Sequence, residues 1–268
     1  MRPVATNDVP SPRTQPPTNM TSPSVDRPPG LATLATRNRH PELMDQPGLD
    51  AGVHGQALRS LAWINWLSNT NLMIWRQIKK LAREPGAPRP LRILDVACGG
   101  GDVAQRLARQ AQRAGIAAHV HGCDINAVAI AHAREAAPRW QTTNVSFFQH
   151  DALRDPLPEG YDVVTSSLFL HHLDNGEVER MLRSMASAAS RLVVNSDLRR
   201  SRLGYALAWA GARVFTRSPI VHVDGPLSVA AAFTVDEARD LAARAGMTGA
   251  RFVRYFPERY LLVWRKPL

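Results

Sequence analysis

From Leu91 onward, short apolar runs alternate with amphipathic stretches. The runs predict strands at about 91–98, 119–124, 144–150, 161–167 and 191–196. Apolar residues recurring every three or four positions predict helices at about 102–114, 126–136 and 175–189, with Gly115 and Pro138 as stops for the first two. Such alternation predicts a parallel sheet with helices on both faces. Past Asp197 the rhythm changes. "SRLGYALAWAGARVF" is a nearly all-apolar helix flanked by Arg199, Arg200, Arg202, Arg213 and Arg217. Thr234 and Glu237 form a capping box opening a helix that stops at Gly246. "ARFVRYF" and "RYLLVWR", joined by "PE", predict a terminal antiparallel hairpin.

Upstream, His54 to Leu81 is helical, with Leu58, Leu61, Ile64, Leu72, Trp75 and Ile78 at spacings of three and four, until "REPGAPRP" breaks it. Residues 1–40 are rich in Pro, Ser, Thr and Asn and bury too little apolar surface to offset ordering entropy. The layout is therefore a disordered Pro-rich tail without function (1–40), a helical lid (41–86) and an α/β domain (87–268). That domain carries a cap-helix insertion at about 199–230.

"RILDVACGGGDVAQRLARQ" sets three glycines where a strand meets a helix, so a ligand can approach backbone N–H groups there. Gly99, Gly101 and Ala104 also satisfy the dinucleotide pattern G-x-G-x-x-A. Asp95 argues against a dinucleotide. A carboxylate inside a buried strand is costly unless paired, and it repels a pyrophosphate while attracting an ammonium. S-adenosylmethionine (SAM) has an ammonium, a sulfonium, a ribose diol and an adenine, and no phosphate. Asp124, ending "HVHGCD", suits both ribose hydroxyls, and Asp151, ending "VSFFQHD", suits the adenine amino group with Ala152 alongside. Three strand-end acids spaced 29 and 27 residues apart are far more specific than the glycines.

"ILDVACGGG", "GCDIN", "FFQHDAL" and "YDVVTSSLFLHHL" resemble successive motifs of class I SAM-dependent methyltransferases, above all the small-molecule branch that includes quinone-biosynthesis enzymes. The resemblance covers roughly Leu91 to Leu268. It implies a Rossmann-like doubly wound seven-stranded sheet, mostly parallel, with the C-terminal antiparallel hairpin as strands six and seven and the helical N-terminal lid outside it. It implies that Asp95, Gly99 and Gly101 hold the methionine portion, Asp124 and Ile125 the ribose, and Asp151 and Ala152 the adenine. Ser166 and Leu168 then flank the sulfonium. Ala97 stands where the family usually has glycine, which predicts tighter cofactor packing rather than lost binding. The alternatives are an NAD(P)-dependent oxidoreductase, disfavoured by Asp95, an RNA methyltransferase, and a non-catalytic protein of the same fold.

For the acceptor side, an oxygen nucleophile must lose a proton, and "FLHHLD" after the fourth strand offers His171 or His172 as base. "VHVDG" offers His222 and Asp224 on one side of an extended segment. His54, Leu58, Leu61, Asn65, Ser68 and Leu72 share one helical face, as a lid over a mostly apolar pocket does. The all-apolar helix should be covered on most sides, with Trp209 against a hydrophobic, phenolic or quinol-type acceptor, O-methylation ranking ahead of C- or N-methylation. No metal is expected, since Ser166-Ser167 occupy the position where metal-dependent relatives carry carboxylates. The net charge of +10 is almost wholly arginine scattered among alanines, so no nucleic acid partner is expected, and a membrane surface ranks second for the arginine-flanked helix. Two cysteines make no disulfide framework, and no apolar run reaches a membrane span, so a cytoplasmic setting is expected.

Overall fold

Seven strands form one sheet in the order β3-β2-β1-β4-β5-β7-β6. β1 (Leu91–Val96) lies parallel between β2 (Ala118–Asp124) and β4 (Tyr161–Ser167). β3 (Val145–Gln149) adds parallel to β2, and β5 (Ala189–Leu198) parallel to β4. β7 (Arg259–Arg265) runs antiparallel to both β5 and β6 (Arg251–Tyr255), giving the expected hairpin. The order reverses between β1 and β4, so the carboxyl ends of these two strands frame a crevice where open α/β sheets take ligands. The computed structural model describes residues 34–40, 70–216 and 218–267. His54, Leu58, Leu61, Asn65 and Ser68, expected on a lid helix, lie outside the described residues; α1 (Thr70–Ala82) is a described helix.

Strand alternation sorts the core into two layers. Ile93, Val163, Val194 and Val263 pack on one face against Ile74 and Ile78 of α1, Leu107 of α2 (Asp102–Arg113) and Ile130 of α3 (Ala127–Ala136). Leu94, Val164, Val193 and Leu262 pack on the other against Met181 and Leu182 of α4 (Asn175–Ala188) and Leu241 of α7 (Val235–Arg244). The expected capping box is formed, with the Thr234 hydroxyl accepting from Glu237 N–H at 3.2 Å and Glu237 accepting from Thr234 N–H at 2.8 Å.

Three expectations change between β5 and α7. "VHVDG" is not extended: it is part of α6 (Pro219–Ala231), which follows α5 (Arg202–Phe215). Residues two apart share a side of a strand but sit about 200° apart on a helix, so His222 and Asp224 diverge. Gly225-Pro226 signals a turn locally, yet burial of Val221, Leu227, Val229 and Ala230 sustains the helix through Pro226. Among its described residues α5 buries Tyr205, Gly204 and Ala212 and leaves Leu203, Leu207, Trp209 and Val214 exposed, so it is not covered on most sides. Finally, the expected tail includes residues 34–40, which the structure seats against α5, α6 and the turn after β4.

Candidate active site

The crevice is bounded by two strand ends that share an unusual backbone. Ala97 after β1 has φ 54° and Leu168 after β4 has φ 53°, both left-handed. Such a conformation costs a non-glycine residue on the order of 1 kcal/mol. Ala97 therefore carries backbone strain of its own. The glycines divide their labour. A side chain at Gly99 (φ 52°) would meet open space, whereas one at Gly101 (φ 77°) would come within 2.6 Å of the Phe147 ring. Gly99 thus leaves the backbone approachable, and Gly101 lets α2 pack on β3.

Asp95 is 1% exposed, and among the described residues no cation or side chain pairs with its carboxylate, whose nearest donor is the Ala104 N–H. Burial first, then the neighbouring charges of Asp102 and Asp124, push its pKa well above the usual carboxylate range. Thr165 lies beside it in the β1–β4 register, and the Thr165 and Ser166 hydroxyls are also buried and unpartnered. Native interiors seldom leave so many polar atoms unsatisfied, so these groups call for a polar, cationic partner.

Asp124 is half-buried at the end of β2 and already does structural work. Its Oδ2 accepts from Gly99 N–H at 2.8 Å and its Oδ1 from Asn126 N–H at 2.9 Å. Each oxygen keeps a second lone pair for a hydroxyl. Asp151 follows β3 two residues beyond the Asp124–Gln149 pair. Its Oδ1 accepts from Leu153 and Arg154 N–H at 3.1 and 3.2 Å, and Arg154 Nε lies 3.5 Å from Oδ2. Ile125, 60% exposed, supplies an apolar surface beside Asp124, and Ala152 is partly buried next to Asp151. A buried unpaired acid at the crevice, an approachable Gly99 backbone and two further strand-end acids fit an ammonium, a ribose diol and an adenine. They do not fit a pyrophosphate.

Beside β4, β5 extends past the predicted end to Leu198 and so carries Asp197. His171, in the 3₁₀ turn Leu170–His172, places Nδ1 2.7 Å from Asp197 Oδ1, and both residues are buried. Burial alone would raise the Asp197 pKa. The charge and hydrogen bond of His171, with the Leu198 N–H at 2.7 Å, outweigh it and hold Asp197 below the usual range. An ionised carboxylate only accepts, so Nδ1 carries a proton and donates it to Asp197. Tyr260, opposite Asp197 in the β5–β7 register, is buried with its hydroxyl unpartnered. His172 is partly exposed, with its ring centroid 4.2 Å from that of His171. Asp197 was missed from sequence. Its signal was "VVNSDL", where a polar triplet ends an apolar strand.

Two expected acceptor residues lie elsewhere. His222 Nε2 lies 2.8 Å from the Thr216 carbonyl oxygen, a contact that ties α6 to the α5–α6 link. Trp209 sits 46% exposed on the outer side of α5, with the Arg213 guanidinium 4.2 Å from its ring centroid. That stacking satisfies the indole face without an acceptor.

Residues 93–191 match a family described as a methyltransferase domain. The match lies on the segment that carries the glycines and the strand-end acids, and it favours a methyltransferase-type site over a dinucleotide site there. The chain is similar to the ubiquinone/menaquinone biosynthesis C-methyltransferase UbiE of Methylobacterium nodulans, 34% identical over 42% of this chain and 42% of that protein. It is also similar to the ubiquinone biosynthesis O-methyltransferase of Aeromonas salmonicida, 31% identical over 45% of this chain and 49% of that protein. The chain thus spans about half the length of the curated relatives it matches. In fold it is similar to magnesium protoporphyrin IX methyltransferase from Synechocystis with bound SAH, with a TM-score of 0.53 at 19% identity, covering 84% of this chain and 91% of that one.

Proposed function

We propose that the protein transfers a methyl group from SAM to the oxygen of a small, largely apolar phenol or quinol. The observation that carries this reading is the buried Asp95, unpaired by any cation, at the β1–β4 crevice, flanked by Asp124 and Asp151 on successive strand ends. Asp95 would receive the ammonium, Asp124 with Ile125 the ribose, and Asp151 with Ala152 the adenine. Gly99 offers its open backbone, and Ser166 and Leu168 border the reacting end. When bound, SAM supplies a methyl group on a sulfonium, open to in-line displacement by a nucleophile.

His171 serves as the base. Asp197 fixes the tautomer through Nδ1 and stabilises the imidazolium that forms when Nε2 takes the acceptor proton. The relatives include both C- and O-methyltransferases, and the His171–Asp197 pair favours oxygen, whose proton needs a base near neutral pH. Arg202 and Arg213 beside the exposed Leu203, Leu207 and Val214 support weak contact with an anionic membrane surface, where such acceptors reside. The two free, buried cysteines, Cys98 and Cys123, suit a reducing cytoplasm.

Calorimetric titration with SAM, its demethylated product and NADH tests the cofactor, and methyl transfer from labelled SAM to a panel of phenols and quinols tests the acceptor. SAM binding without NADH binding, and transfer that collapses in His171→Gln, are expected. NADH binding in place of SAM would overturn the reading.

A further inference from the structure

The carbonyls at the end of α6 have no further helical turn to bond to. Residues outside the helix satisfy three in succession. Asn38 N–H donates to Ala230 O at 3.1 Å, Arg37 Nε to Ala231 O at 2.5 Å, and Arg200 Nη1 to Ala232 O at 2.8 Å. Two of these donors belong to residues 34–39. That segment is anchored at both ends: Leu34 is buried among Tyr205, Val229 and Ala230, and Arg39 Nη1 lies 3.4 Å from Glu177 Oε2. Arg200 reinforces it, donating to Leu34 O at 3.2 Å while pairing with Glu237 at 2.6 and 2.9 Å.

Arg37 also reaches across to the turn after β4. Its Nη2 donates to His171 O at 2.9 Å and to Leu173 O at 2.6 Å, and its guanidinium lies 3.7 Å from the centroid of the Phe233 ring. One planar fork thus joins three carbonyls from two separate segments and stacks on the Phe233 ring, a geometry that an ammonium cannot reproduce. Burial, the largest influence, lowers its pKa to about 10, so it remains a cation at neutral pH. We propose that residues 34–39 are a strap belonging to the acceptor side, and that Arg37 is a positioning residue that fixes the turn carrying His171 and thereby the His171–Asp197 pair. The inference rests on His171 as the base, but its test does not require a known acceptor.

In histidine-labelled full-length protein, an Nδ1 proton donated to a buried carboxylate gives a far-downfield NMR signal, assigned to His171 by its loss in His171→Gln. Arg37→Ala and deletion of residues 1–39 should abolish or broaden that signal while SAM affinity stays within about twofold. Deletion of residues 1–33 should change neither. Where an acceptor has been found, kcat should fall about ten- to a hundredfold in Arg37→Ala at unchanged KM for SAM, as for a base displaced by a fraction of an ångström. Arg37→Lys, which keeps stem and charge, should give an intermediate signal; if Arg37→Ala does not fold, this variant decides alone. A full wild-type signal in either folded variant, or no such signal in the wild type, would overturn the inference. Failure of SAM to bind the wild type would instead overturn the proposed function and leave the strap result standing.

Discussion

Ala97 and Leu168 close the two strands on either side of the sheet's reversal point with nearly the same left-handed backbone, φ 54° and 53°. Both follow directly on strands that meet at the reversal point, β1 ending at Val96 and β4 at Ser167. Leu168 is held there by its N–H donating to Ser196 O at 2.9 Å. Ala97 has the simpler remedy available. Ala97→Gly should stabilise the protein by about 0.5–1 kcal/mol, or roughly 1–4 °C in melting temperature, with SAM affinity changed less than threefold. A lower melting temperature would show that the Ala97 methyl contributes packing that exceeds its strain.

Asp95 predicts a conflict between stability and binding. Its folded pKa is raised by burial, Asp102 and Asp124, so the proton is held more tightly in the folded state than in the unfolded chain. Stability attributable to this group is therefore present at low pH and lost as pH rises from the usual carboxylate value of about 3.9 through the folded value. Asp95→Asn removes that loss. Thermal melts without cofactor should show a higher melting temperature at pH 7 and a flatter decline from pH 5 to 8, while calorimetry shows SAM binding weakened at least tenfold. Unchanged melting together with unchanged affinity would remove Asp95 from the site.

Asp124→Ala, the obvious probe of ribose binding, does two things at once. It deletes acceptors for Gly99 and Asn126 N–H, charge-assisted bonds of about 1.5–3 kcal/mol each, as well as any ribose contacts. Asp124→Ala should therefore lower the melting temperature of the cofactor-free protein besides weakening SAM by more than tenfold. Asp124→Asn, which retains an accepting oxygen, should recover part of the stability and less of the affinity. Equal melting curves for Asp124→Ala and wild type would contradict the double role.

The strand–helix rhythm from Leu91 to Leu198 was legible because each element has one strong local signal: an apolar run, a 3.6-residue stripe or a cap. The strand-end acids were legible for the same reason, since a charged residue at the end of an apolar strand stands out at short range. What failed depends on distant contacts. Nothing near Pro226 says that the chain remains helical; burial against α5 decides it. "LATLATRNRH" lies within a Pro-rich stretch, and its worth becomes visible only once Arg37 meets carbonyls more than a hundred residues away. Asp197 looked like a strand's polar end until the turn after β4 brought His171 against it. An apolar helix such as α5 suggests burial, whereas among its described residues Gly204, Tyr205 and Ala212 are the buried ones.

The His171–Asp197 pair carries its own pH signature. Asp197 is held below the usual carboxylate range, so its contribution to stability is present above the unfolded pKa and lost as pH falls through the folded one. Removing the carboxylate leaves His171 buried without its partner, which for buried pairs costs about 3–5 kcal/mol. Asp197→Ala should therefore melt far below wild type at pH 7, with the difference shrinking under acid conditions. Asp197→Asn should be milder in stability yet lower kcat by about a hundredfold or more, since a neutral amide neither fixes the tautomer nor stabilises imidazolium. Retained kcat in Asp197→Asn would leave His171 a purely structural group.

The last prediction concerns the outer side of α5. Leu203, Leu207 and Val214 are exposed at helical spacing, with Arg202 and Arg213 exposed on the same helix. Isolated exposed leucines need no explanation, but a stripe between arginines resembles the face of a helix lying on an anionic interface. The protein's net charge of +10 acts in the same direction. Trp209 is stacked on Arg213 rather than on an acceptor, so Trp209→Ala should leave the acceptor KM unchanged, the reverse of what an inward-facing helix predicts. Vesicles containing anionic lipid should co-sediment the wild type at low salt and release it as salt rises. Leu207→Glu with Val214→Glu should abolish that association while shifting folding stability by no more than about 0.5 kcal/mol per substitution, as for other surface changes. Vesicle binding that survives the double substitution would assign the association to the scattered arginines, and equal binding to neutral and anionic vesicles would exclude an electrostatic origin.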